Sequence, residues 1–237
     1  MITTAKGLAS ACEAVAKNHN TIYVMGCFGA PLTGANVSKY CNNDPYNKQE
    51  TRKAMIKAIA NQNPPYYGFD CSGLIKAILW GWSGNQAKIH GGADYGSNGV
   101  PDLCADQLIS VCKDVSTNFS KVEIGEAVWL PGHIGIYIGD GLAVECSPKW
   151  KNGVQITSCN TAKLGIHRRN WTKHGKLPYV EYSVENVEKP SENKNVDQIA
   201  REVIDGKWDN GAARKQKLIA AGYDPAAVQK RVNEILK

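Results

Sequence analysis

No run of this sequence comes near the roughly 18 consecutive apolar residues that a membrane-spanning helix needs, so no membrane insertion is expected. The first twenty residues, MITTAKGLASACEAVAKNHN, lack the continuous apolar segment of a secretory leader, and synthesis in a cytoplasm without a signal peptide is expected. There is no C-x-x-C pair, and the five histidines do not cluster at ligand spacing, so no metal and no other cofactor is expected. Lysine and arginine never gather into a run with interleaved aromatics, which argues against nucleic acid as a partner. Cysteine, by contrast, is plentiful: eight residues, an even count that invites a disulfide framework. The chain is long and apolar enough to build a core without such staples, and its cysteines lie inside apolar periodic segments such as residues 103–111. Reduced thiols are expected.

With 237 residues there is room for one good-sized domain and something small beside it. The 28 basic and 22 acidic residues leave a net charge of +6, an excess that lies within residues 1–179 and suits approach to a polyanionic surface such as a bacterial wall. The first part of the chain has helical periodicity, over residues 4–17 and 47–60, with a short apolar run at 21–26 and a polar, glycine- and asparagine-rich loop at 30–46. Residues 81–101 hold six glycines and predict a long loop of the functional kind. Asp102 is expected to cap a helix running to about Val115. From Val122 the period becomes two. The runs 127–130, 133–138, 142–146 and 154–157 are separated by the turn signals PG, GDG and KNG. Helices first and an antiparallel meander afterwards predict an α+β domain, with helices packed on one face of the sheet. Residues 1–180 are assigned to this domain and 181–195 to a polar linker. Residues 196–237, with helical patterns at 196–204, 212–220 and 225–236, are assigned to a small three-helix bundle.

Within the first domain the stretch YYGFDCSGLI, residues 66–75, delivers a cysteine to the start of an apolar helix. Pro64 and Pro65 forbid helix before it; Leu74, Ile75, Ile78, Leu79 and Trp82 then recur at three- and four-residue steps. Unpaired N–H groups and the positive dipole end at a helix start favour thiolate over thiol, so a lowered pKa is expected for Cys71. The alternative is that Cys71 is a small buried hydrophobe. A nucleophilic thiol needs a base, and His133 opens the strand HIGIYIG 62 residues later. A hairpin turning near residues 139–141 pairs positions whose numbers sum to about 280, which sets Glu145 beside Ile134 and Gly135, next to His133. Thiol, base and an acceptor that fixes the base's tautomer are the parts of a cysteine peptidase.

These segments, YVMG at 23–26, FDCSGLI at 69–75 and HIGIYIG at 133–139, resemble the NlpC/p60 family of papain-like peptidoglycan hydrolases. The resemblance implies a papain-like cysteine peptidase fold, with Cys71 as nucleophile and His133 as base. The third polar residue of the family is commonly a second histidine twelve positions after the first; here that position is Glu145. Tyr23, Asp70 and Ser72 match motif positions at the substrate site. The gap from Tyr23 to Cys71 exceeds the usual one by about a helix, which implies an inserted segment around residues 37–61.

The C-terminal stretch IAREVIDGKWDNG, followed by Arg214, AAGY and VQKRVN, is similar to the Cpl-seven cell-wall-binding repeat, a three-helix module. That likeness implies peptidoglycan or its muropeptides as partner, with Asp205, Gly206, Trp208 and Arg214 as candidate binding residues; the alternative is that Asp205, Trp208 and Arg214 only stabilise the bundle. Together the two resemblances imply a phage or prophage endolysin, stored in the host cytoplasm and released to the wall by a holin. The implied reaction is hydrolysis of a stem-peptide amide after D-glutamate or D-isoglutamine. The alternatives are an N-acetylmuramoyl-L-alanine amidase, an inactive wall-binding protein and, more distantly, an acyltransferase. Oligomeric state stays open.

Overall fold

Thr4 starts the first helix: its hydroxyl accepts the Gly7 N–H at 3.1 Å and satisfies one of the donors that a helix start leaves unpaired. The computed structural model describes residues 3–182, 194–208 and 210–236. Residues 183–193, most of the expected linker, and residue 209 lie outside the described residues. The chain divides into two compact units, Met1–Tyr182 and Ser183–Lys237.

In the first unit, β1 (Thr3–Thr4) leads into α1 (Ala5–Asn18), which buries Leu8, Cys12 and Val15. There follow β2 (Asn20–Tyr23), β3 (Phe28–Pro31), α2 (Ala35–Tyr40), α3 (Glu50–Ala58) and β4 (Tyr66–Phe69). The three strands form a small sheet of order β2-β4-β3, with β2 and β4 parallel. Helices α2 and α3 occupy the segment expected as an insertion and share a separate core with the small sheet, built on Ile22, Leu32, Tyr40 and Ile56.

Helix α4 (Cys71–Leu79) begins where β4 ends. Asp70 caps it, accepting the Gly73 N–H at 2.6 Å. Gly73 is required there, because a Cβ would lie 2.2 Å from the Cys27 carbonyl oxygen. The next helix, α5 (Ala105–Val111), starts two residues later than expected and ends four earlier. Asp102 does not cap it: its carboxylate pairs with Lys76 and accepts from the Tyr95 hydroxyl. The chain leaves the helix because residues 113–116 are claimed as an edge strand.

That strand is β5 (Lys113–Ser116), followed by β6 (Ala127–Leu130), β7 (His133–Gly139), β8 (Leu142–Ser147), β9 (Gly153–Cys159), β10 (Arg168–Arg169), β11 (Lys173–Lys176) and β12 (Val180–Glu181). The large sheet has the order β10-β9-β8-β7-β6-β11-β5 and is antiparallel except for the parallel pair β10 and β9. Strands β1 and β12 pair with each other in parallel. Alternation along β7 and β8 divides the sheet. Ile134, Ile136, Val144 and Cys146 join the core shared with α1, α4 and α5, whereas Val128, Ala143, Cys159 and Trp171 form a smaller cluster. Each large aliphatic side chain buried in the main core contributes about 1.5–3 kcal/mol. All eight cysteines are free thiols.

In the second unit, Asn195 and Gln198 form a reciprocal cap, each side chain accepting the other's N–H at 3.0 Å, at the start of α6 (Val196–Ile204). Helix α7 (Gly211–Ala220) follows, then α8 (Pro225–Ile235), capped by Asp224 with proline in its first turn. Ile199, Val203, Leu218, Val228 and Val232 make the shared core of the three helices. No helix among the described residues is long and apolar enough to cross a membrane.

Candidate active site

The Cys71 side chain sits at the first position of α4, 9% exposed, where the helix packs on β7. Backbone N–H groups of Ile134, Ser72 and Cys71 itself act on its sulfur. Ile134 directly follows His133, so the thiol lies against the strand that carries the imidazole. The expectation of a lowered thiol pKa needs correction. Burial, reinforced by the Asp70 carboxylate, pushes the Cys71 thiol up to about 12, and the backbone N–H groups only partly oppose this. A helix start contributes partial charges; desolvation of a full charge outweighs them.

His133 opens β7 and donates or accepts through Nε2 with Glu145 Oε2 at 2.6 Å. The register is the one the hairpin arithmetic predicts, with Gly135 opposite Glu145. Nδ1 is the ring nitrogen that this bond leaves for a second partner. Among the described residues no hydrogen bond joins the thiol to the imidazole, an arrangement common before substrate arrives.

Glu145 is fully buried and held by three strands. Thr157 Oγ1 on β9 donates to Oε1 at 2.8 Å, and Arg169 on β10 donates from Nε to both carboxylate oxygens, at 3.0 and 3.1 Å, with Nη2 closing onto Oε2. Burial raises the carboxyl pKa, but the hydrogen bonds and charges of His133 and Arg169 outweigh it and leave Glu145 below the ordinary carboxylate value. Trp171 stacks on His133, with ring centres 5.5 Å apart and planes inclined by 7°. Gly135 makes room for that ring, since a Cβ there would lie 3.1 Å from it and 2.7 Å from the Val144 carbonyl oxygen. None of Thr157, Arg169 or Trp171 is singled out by sequence motif. Arg169 belongs to a two-residue strand with no periodicity to read.

Beside the thiol opens a cleft of about 450 Å³, lined by Tyr23, Met25, Asp44, Lys76, Asp102 and Asp106 among others. Asp70, Ser72 and Gly132 line it as well. Tyr23 is buried in the cleft wall; its hydroxyl donates to Met25 Sδ at 3.7 Å, and burial next to Cys71 and Asp70 raises its pKa. Asp70 spends both oxygens on the fold. Oδ1 accepts from Gly73 N and, at 3.1 Å, from Ser72 Oγ; Oδ2 accepts from Gly26 N at 2.8 Å. The wall itself is held by residues in and just before α3. Asn47 bonds both the N–H and the carbonyl of Met25, at 3.1 and 2.8 Å, and buried Arg52 donates to the Tyr23 carbonyl. Asp106 accepts from Trp129 Nε1 at 2.8 Å and Gly132 N at 2.9 Å, which fixes the turn just before His133.

In the second unit the four expected binding residues have different surroundings. Arg214 lines a cavity of about 670 Å³ with Lys215, Asp224, Gln229, Lys230 and Asn233, and donates to Asn210 Oδ1 at 2.7 Å. Asp205 is exposed, and its Oδ2 lies 3.8 Å from Lys207 Nζ. Gly206 takes a positive φ of 74° just past the end of α6. Trp208 packs on the helical core, donating to Glu202 Oε2 at 3.2 Å and meeting Tyr223 edge-on.

Comparison with known proteins finds likeness in both halves of the chain. Among solved structures, NlpC2 from Trichomonas vaginalis aligns with 13% identity and a TM-score of 0.40, over 73% of this chain and 46% of that one. The P60 domain of a Mycobacterium avium subspecies paratuberculosis antigen aligns with 15% identity and a TM-score of 0.38, over 75% and 98%. The peptidoglycan hydrolase RipB from Mycobacterium tuberculosis gives 18% identity and a TM-score of 0.36, over 75% and 67%. A lysozyme of Streptococcus phage Cp-7 is 48% identical over 51 residues, which span 22% of this chain and 15% of that protein. Residues 197–236 match the family model of the CW_7 repeat.

Proposed function

We propose that the chain is a peptidoglycan hydrolase that cleaves a stem-peptide amide by cysteine nucleophilic catalysis, with its second unit binding the wall. The observation that carries this reading is the 2.6 Å bond between His133 Nε2 and Glu145 Oε2 on β7, the strand against which the helix that starts at Cys71 packs. In the proposed reaction His133 takes the thiol proton through Nδ1 as Sγ attacks the amide carbonyl carbon. The buried thiol is neutral at rest, so thiolate and imidazolium form together as a pair. Backbone N–H groups at the start of α4 stabilise the oxyanion. His133 then protonates the leaving amine. A water attacks the thioester, gives its proton to His133, and the acid departs with the thiol restored.

The bond we assign is the one after D-glutamate or D-isoglutamine, which would make the enzyme a γ-D-glutamyl endopeptidase. Tyr23 and Ser72 line the substrate's cleft, and Asp70 sets the shape of its floor. In the second unit the CW_7 match supports a wall-binding role, with Arg214 as the residue for a ligand carboxylate because a guanidinium offers paired donors. Delivery to the wall of a host cell, in the manner of a phage endolysin, fits this pairing of units.

Cys71→Ser tests the reading. Its hydroxyl is far less acidic than a thiol, so turbidity of a wall suspension should stay flat. Clearing at the wild-type rate would remove Cys71 as nucleophile. Mass spectrometry of the wild-type digest then names the bond: new amino termini on stem peptides for the peptidase, free lactyl ends for an amidase.

A further inference from the structure

A buried, uncompensated carboxylate against an imidazole has a cost for a base. It fixes the ring, but it also holds the ring's proton and keeps it from returning to the neutral form. Glu145, fully buried beside His133, would be such a group were it alone. It is not. Arg169 meets both of its oxygens from Nε, and Nη2 reaches Oε2 and, at 3.1 Å, Ser147 Oγ. The guanidinium is itself fixed between two indoles, 4.2 Å from the centre of Trp150 and 5.8 Å from that of Trp171. Trp171 is also the ring stacked on His133. One arginine therefore touches the acceptor of the imidazole and the surface on which the imidazole lies.

We propose that Arg169 is a positioning residue of the active site: it turns Glu145 into a charge-neutral orienting unit that fixes the tautomer and plane of His133 without retaining its proton. This rests on the cysteine–histidine reading given above. Of the titratable and charged groups around the pair, Arg169 of β10 bonds Glu145, Asp106 of α5 bonds the Gly132 N–H at the turn before His133, and Cys146 of β8 and Cys71 of α4 lie in the core on the other face of the sheet, on the side of Ile134. Arg169 is the cation that bonds Glu145 directly. Stability alone gives little reason for it, because a buried ion pair seldom outperforms a well-packed apolar replacement.

The test compares pH profiles of wall hydrolysis by the full chain and by Arg169→Met, Arg169→Lys and the double variant Arg169→Met/Glu145→Gln. Loss of the cation from the Glu145 side lets the His133–Glu145 pair keep its proton to higher pH, whichever partner carries it. For Arg169→Met the acid limb should therefore move up by about one pH unit, with kcat/KM falling roughly tenfold below the limb and little above it. Arg169→Lys keeps the charge but loses the fork, so its limb should stay in place while kcat drops. The double variant removes both charges, leaves neither buried alone, and should return the limb to the wild-type position. A uniform loss at every pH in folded Arg169→Met, with its limb unmoved, would make Arg169 a merely structural residue and overturn the proposal. Should Arg169→Met fail to fold, a limb in Arg169→Lys or in the double variant displaced from wild type overturns it equally. NMR titration of the His133 ring, assigned by its loss in His133→Gln, reads the same shifts without catalysis. If the wild type does not clear walls, the hydrolase reading fails, and the titration still decides this inference.

Discussion

Two histidines of the large sheet each meet a buried glutamate, and they differ in what surrounds the pair. His133 gives Nε2 to Glu145, keeps 13% of its side chain exposed, and shares Glu145 with a cation and a hydroxyl. His174 is 3% exposed and gives Nδ1 to Glu126 and Nε2 to the Asn118 carbonyl oxygen. Both nitrogens of His174 therefore face acceptors, and neither is free to take a proton from another group. The carboxylates diverge too. Burial raises Glu126, with the bond and charge of His174 only partly opposing it, whereas Glu145 is carried below the ordinary value. A carboxylate–histidine pair is thus no signature of catalysis in itself. A nitrogen left over, a strand packed against the helix that starts at Cys71 and a compensated carboxylate separate the candidate site from a structural strut.

The largest effect should separate the two histidines. His133→Ala should lower kcat by about a thousandfold or more, because the thiol loses its base, while thermal unfolding changes little. His174→Leu should do the reverse. It strands a buried carboxylate, so stability should fall by about 3–5 kcal/mol while activity per folded molecule is unchanged. Comparable activity losses in both variants, measured at a temperature where both are folded, would erase the distinction.

Next come the two carboxylates, whose opposite shifts give opposite pH dependences of stability. Glu145 titrates lower in the folded chain than its ordinary value of 4.5, so its contribution is present above that value and is lost as pH falls through the folded pKa. Glu126 titrates higher than 4.5 when folded, so its contribution is fullest below that value and declines as pH rises through the folded pKa. The gap in urea midpoint between wild type and Glu145→Gln should close on acidification, and that for Glu126→Gln should move in the other direction. A gap for Glu145→Gln that widened on acidification would mean that Arg169 does not outweigh burial at Glu145, and a gap for Glu126→Gln that closed would mean that His174 outweighs burial at Glu126. In activity, Glu145→Gln should cost on the order of tenfold to a thousandfold, since an amide still accepts from imidazole but cannot stabilise its charge.

What the sequence disclosed and what it hid follow the same division. The helix start at Cys71 and the register that sets Glu145 beside His133 were legible because each depends on local rules: prolines and a capping aspartate before a helix, and a two-strand register set by one turn. Arg169 was not, because it arrives on a two-residue strand paired in parallel at the sheet edge, and nothing in HRRNW marks one arginine as buried. Asp102 shows the converse failure. Its capping pattern is sound locally, but Lys76, 26 positions upstream, takes the carboxylate instead. The lowered thiol pKa expected for Cys71 failed likewise, since burial is a tertiary property and outweighs a helix terminus.

The smallest effect is the sharpest probe of how Glu145 is tuned. Thr157 Oγ1 and Arg169 both bond its Oε1, but one is neutral and the other charged. Thr157→Val keeps the shape of the side chain and removes the hydroxyl. Glu145 would retain the two-oxygen contact with Arg169, so its orientation should persist, and kcat/KM should fall by less than about tenfold, below the full scale of a hydrogen bond to a charged group because Thr157 acts on His133 only through Glu145. No charge is lost, so the acid limb of the pH profile should not move, in contrast to Arg169→Met. Should Thr157→Val shift that limb as far as Arg169→Met does, hydrogen bonding and not charge compensation would be what governs Glu145. The difference drawn between the two glutamates would then rest on the number of donors around them.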